Sequence, residues 1–184
     1  TRVPGKETAP KGKPRKLFES PVVTISNGGK ASIDTSVKGV KDLYLLIGDG
    51  GNGFSCDWAN WVNPTLHGQN QKLSLVDAKW VSAKSGFGKV HKNANCMGQK
   101  CSIDGVEIRE PCIGAHSVSL IHFKIPSGFD RFTAEGVLDS GGTSQNNGQN
   151  TSVQFAVYAD APPSIKTETE SDNENQRLAS SAIS

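Results

Sequence analysis

Short stretches in which apolar and polar residues alternate, each closed by Gly, Asn, Asp or Pro, recur through most of this chain. They begin with PVVTIS and KASIDTSV, separated by NGG, a hairpin-type turn. KDLYLLIG, ANWVNPTLHG, KLSLVDAKWVSA, GKVHKN and SIDGVEIRE follow, and the series ends with SVSLIHFKIP, RFTAEGVLD and TSVQFAVYAD. Alternation of period two turns one face of a strand toward a core and the other toward water. No segment keeps a 3.6-residue apolar period over three turns, so helices are not expected to build the core. Many short strands with regular turn punctuation predict an all-β fold, a β-sandwich or jelly roll.

The two ends lack this alternation. Residues 1–20 carry six basic and two acidic side chains, and residues 163–184 carry two basic and four acidic ones. The first is expected to be a basic flexible linker and the second an acidic, serine-rich disordered tail, leaving residues 21–162 as one folded domain. That central part is neutral, with twelve charges of each sign. Nucleic-acid recognition needs a basic face on the domain itself, so it is not expected here. No apolar run approaches the roughly 20 residues that cross a bilayer. The chain starts at Thr1 with no signal peptide, as a mature chain or a piece of a longer one would.

Four cysteines, Cys56, Cys96, Cys101 and Cys112, allow two bridges in three connectivities. Cys96 and Cys101 bracket MGQK and are the expected local pair, which leaves Cys56 with Cys112. Free buried thiols are one alternative. A metal site from His91, Cys96, Cys101 and Cys112 is another, although the duplicated tight pairs of structural zinc are missing. Disulfides would imply an oxidising compartment outside the cytosol.

The chain has no G-x-S-x-G elbow, no H-E-x-x-H and no P-loop. Its carboxylates are scattered, and none is nominated as half of a glycosidase pair. The aromatic residues say more. Trp58 and Trp61 lie three apart in CDWANWVNP, hence on opposite faces of an extended segment, one for the core and one for a loop or solvent. A flat apolar plate beside amides, carboxylates or imidazole suits a sugar, whose ring offers a C–H face and a rim of hydroxyls.

From Leu73 to Asp160 the chain resembles the NPCBM family of carbohydrate-binding modules. The resemblance is carried by Leu75, Asp77 and Trp80, then Ser82, Ala83, Gly86 and Gly88, then Ile113, Gly114 and His116. Arg131, Phe132, Ala134, Leu138 and Asp139 continue it, and Ser152, Val153, Phe155, Val157 and Tyr158 close it. Phe87 stands where the family usually has Trp, and Cys112 where it often has Gly. The resemblance implies a galactose-binding-like jelly roll and a non-catalytic carbohydrate-binding module, an accessory part of a larger extracytoplasmic protein (secreted, periplasmic or at the cell surface). The alternative is a jelly roll kept for structure or protein interaction after loss of the sugar site. An exposed aromatic beside polar side chains in a concave patch would favour the first, and a flat or filled surface the second.

The loops at one end of such a sandwich are expected to carry recognition. Trp58 or Phe87 is the expected plate, with Lys84, His116, Asp139 and Asn147 as hydrogen-bonding partners for a galactose-type glycan. His116 is expected to bind or to pack, and Gly114 to supply a backbone angle closed to other residues. DSGGTSQNNGQN is either a disordered tip or an amide-rich wall. Jelly rolls of this kind often hold a structural calcium ion, for which Asp49, Asn52, Asp57 and Asp160 are the candidate oxygen ligands, the alternative being an ordinary glycine-rich turn.

Overall fold

The computed structural model describes residues 12–163. β1 (Lys16–Glu19), β2 (Val23–Thr24), β3 (Lys30–Ser36) and β4 (Asp42–Gly48) lead into the long β5 (Trp58–Gly68). Short strands come next: β6 (Gln71–Ser74), β7 (Ser82–Lys84), β8 (His91–Lys92), β9 (Ser102–Ile103) and β10 (Val106–Glu107). β11 (Cys112–His116), β12 (Ser119–Lys124) and β13 (Phe129–Leu138) follow, then the one-turn helix α1 (Ser140–Thr143) and β14 (Ser152–Tyr158).

These strands make an antiparallel sandwich. One sheet runs β1-β14-β4-β12-β7, with β2 also on β14; the other runs β3-β13-β5-β11-β8, with β6 on β5, and β9 and β10 form a separate hairpin. Period-two alternation decides what faces inward. Leu43, Leu45 and Ile47 of β4 are fully buried while their neighbours are only half-buried. In register beside them, Leu45 meets Ile121 of β12 and Val157 of β14, and Ile47 meets Phe155. From the opposite sheet Trp61 meets Phe155 edge to face, with ring centroids 5.0 Å apart. Such a pair adds about 0.5–1.5 kcal/mol beyond the area it buries.

Three expectations change. Residues 16–19, assigned to the linker, form β1, an outer strand paired with β14, and Leu17 and Phe18 pack on the core. KLSLVDAKWVSA is not one strand: after β6 the chain turns, with the amides of Asp77 and Ala78 donating to the carbonyls of Ser74 and Leu75. CIGAH, absent from the expected strands, forms β11 in one sheet ahead of β12 in the other, and His116 ends it. Residues 1–11 of the expected linker and the acidic tail from residue 164 on lie outside the described residues.

Candidate functional site

Trp58, Asn60 and Val62 of β5 face away from the core, opposite Trp61. In register beside them β11 places His116, Gly114 and Cys112. The segment between β8 and β11 folds over this row. It approaches so closely that a Cβ on Gly114 would lie 2.3 Å from the Ala94 carbonyl oxygen and 2.5 Å from the Asn95 Cα. Gly114 is therefore required by close approach and not, as expected, by a special backbone angle.

Asp139 fastens this cover. It is fully buried at the end of β13, where Oδ1 accepts from Asn95 Nδ2 (3.3 Å) and the Gly141 amide (2.9 Å). Its Oδ2 accepts from Asn60 Nδ2 (2.9 Å) and the Ser102 amide (3.1 Å). One carboxylate thus joins β5, two points of the covering segment (Asn95 and Ser102 of β9) and the start of α1. Four N–H donors satisfy it where no solvent reaches.

Above this layer the loops leave a groove of about 600 Å³, lined by Phe54, Ser55, Cys56, Trp58, Phe87, Met97, Gln99, His116 and Gln145. Its rim is apolar and open: Phe87, Met97 and Phe54 are 46 %, 49 % and 39 % exposed, three of the seven large apolar side chains that stand exposed among the described residues. Clustering of that kind marks a binding surface more often than chance exposure does. Trp58 is half-buried and lies against α1, so close that a Cβ on Gly141 would fall 2.3 Å from its ring. His116 meets Phe87 edge-on at 5.6 Å, and its Nδ1 lies 2.6 Å from the Ser117 carbonyl. A carbonyl only accepts, so Nδ1 carries the proton and the ring is fixed in orientation. Gln145 is held as well, its Nε2 donating to the Gly141 carbonyl (2.8 Å) and its Oε1 accepting from the Cys56 thiol (3.4 Å).

The family model for the NPCBM/NEW2 domain matches residues 11–67 and 71–182. The chain belongs to that family. No curated protein and no solved structure matches it.

Of the six glycan-binding candidates in this NPCBM/NEW2 domain, the groove unites Trp58, Phe87 and His116. Asp139 lies beneath, sealed and fully bonded, and is a structural residue. Lys84 is exposed on β7, and Asn147 is exposed on the turn after α1; neither lines the groove. DSGGTSQNNGQN is ordered as α1 and a 3₁₀ turn, and Gln145 is the amide it contributes. Phe54, Cys56, Met97 and Gln99 were missed. The available signal was an isolated large apolar residue, Phe54 or Met97, inside a turn-rich segment with no alternating partner.

The calcium set is not assembled. Asp49 and Asn52 meet at Ser152 Oγ, and Asp57 accepts from the Ser152 amide, whereas Asp160 sits beyond the other end of β14, bonded to the Arg15 amide. Among the described residues no group of three or more His, Cys, Asp or Glu could hold a metal ion, which also removes the His91–Cys96–Cys101–Cys112 alternative.

Asp57 is fully buried, and burial pushes its carboxyl up to about 7 against the opposing effect of hydrogen bonds from the Ser152 amide (3.0 Å) and Ser117 Oγ (2.8 Å). The folded chain holds this proton more tightly than the unfolded chain, whose Asp titrates near ~3.9. The resulting stability is complete below about pH 4 and is lost as pH rises through about 7. Asp57→Asn is expected to flatten that fall and to exceed the native domain at pH 8 by about 2–4 kcal/mol. Urea unfolding at pH 4.5, 6 and 8 checks it; an unchanged pH slope would contradict it.

All four cysteines are unbridged. The expected Cys96–Cys101 link is replaced by a turn built on Asn95, whose Oδ1 accepts from the amides of Met97 (3.0 Å) and Gln99 (3.1 Å). Cys101 packs with Val62, Cys112 and Val137, and Cys56 stands in the groove, apart from Cys112. Burial, with the Asp139 carboxylate nearby, pushes the Cys96 thiol up to about 12. Contact with the Cys112 thiol, then burial, also raises Cys101.

Proposed function

We propose that this domain is a non-catalytic carbohydrate-binding module whose glycan lies in the groove against Phe87. One observation carries the reading: an exposed aromatic plate, Phe87, shares a concave patch with the fixed imidazole of His116 and the amides of Gln99 and Gln145. The plate takes the C–H face of a pyranose, and the amides take its hydroxyls. A concave patch of this kind argues against the alternative of a jelly roll that has lost its site. Membership of a family of carbohydrate-binding modules supports the same reading. Galactose-type glycans are the first ligands to try, and the domain acts as an accessory part of a larger extracytoplasmic protein, where such glycans are met. With the thiols unbridged, that location rests on the ligand and not on disulfides. The folded domain is expected to be retained on an affinity gel carrying a galactose-type or N-acetylgalactosamine-type glycan. Failure of a demonstrably folded sample to be retained on any glycan gel would overturn the reading.

A further inference from the structure

Two features of the groove exceed what a plain hexose requires. The first is its apolar excess. One plate, Phe87, serves the C–H face of a ring, yet Phe54 and Met97 stand exposed on the same rim, from the segments before β5 and before β9. A bare hexose has mainly hydroxyls left to offer them, and placing hydroxyls against a phenyl ring and a thioether costs hydrogen bonds to water. The second is the kind of polarity. None of the nine lining residues is Asp, Glu, Lys or Arg, and the polar groups include two primary amides, Gln99 and Gln145. An amide side chain offers a donor and an acceptor together, the complement of a secondary amide.

We propose that the groove selects a neutral N-acetylated hexosamine over the corresponding hexose and over acidic sugars. This rests on the carbohydrate-binding reading above. The acetamido methyl packs against Met97 and Phe54, its N–H and carbonyl pair with the Gln99 and Gln145 amides, and Phe87 carries the ring. A carboxylated sugar would bring a charge into a site with no Lys or Arg to receive it.

Calorimetric titration of the native domain with N-acetylgalactosamine, N-acetylglucosamine, galactose, glucose and glucuronate tests the proposal. The better of the two acetylated sugars is expected to bind about tenfold more tightly than its parent hexose, the sum of one buried methyl group and a hydrogen-bonded amide. Which of the two wins identifies the glycan source. Met97→Ala is expected to cut that preference about fourfold; Met97 is half-exposed, so the variant folds. Equal affinity for acetylated and plain sugars would overturn the selectivity while leaving sugar binding intact, as would a preference for glucuronate. Binding of none of the five by a folded domain would overturn both.

Discussion

Replacing Asp139 by Ala is expected to lower the stability of the domain by about 3–5 kcal/mol and its melting temperature by roughly 10 °C. The carboxylate is fully buried and accepts from four donors, one on β5, two on the covering segment and one on α1. Truncation leaves Asn60, Asn95 and the amides of Ser102 and Gly141 facing one another, and each buried unpaired donor costs about 1–3 kcal/mol before relaxation. Asp139→Asn separates charge from shape. One side of the amide still accepts, while its NH₂ opposes either the Asn60–Ser102 pair or the Asn95–Gly141 pair. The Asn variant should therefore fall between the native domain and the Ala variant. Thermal melts of the three proteins decide the matter. If Asp139 were a ligand group with no structural duty, both variants would melt with the native domain.

The opposite pattern is expected for Phe87→Ala. Retention on a glycan gel should drop at least 30-fold, the size of an interface anchor worth about 2 kcal/mol or more. Its melting temperature should change by only a few degrees, because Phe87 is 46 % exposed and its ring contact is the edge of His116. Phe87→Trp enlarges the plate and should raise affinity. A large fall in stability for Phe87→Ala, with glycan retention intact in the folded fraction, would place Phe87 in the core and the glycan elsewhere.

Much of the scaffold could be read from residue order because strand alternation is local. Leu43, Leu45 and Ile47 announce an inward face without knowledge of their partners, and the three-residue spacing of Trp58 and Trp61 correctly divides them between groove and core. β1 escaped because Leu17 and Phe18 are two adjacent apolar residues among charges, too few to show a period. The site was only half legible for a different reason. Phe54, Met97, Gln99 and Gln145 meet through loops far apart in the chain, and no local pattern reports which loop tips converge. Asp139 misled because a sequence shows a carboxylate but not its burial. The cysteine pairings failed in the same way, since the spacing of Cys96 and Cys101 permits a bridge but does not reveal the Asn95 turn that takes its place.

Met97 is the sole methionine of the chain and stands on the rim of the groove. A ¹³C-methyl-methionine sample therefore gives a single signal at the proposed site. Titrating it with N-acetylgalactosamine or galactose should move that methyl resonance along a saturable curve, and the movement should vanish in Phe87→Ala at the same ligand concentrations. A methyl signal that stays in place while calorimetry shows the glycan bound would contradict the assignment of this groove as the carbohydrate site.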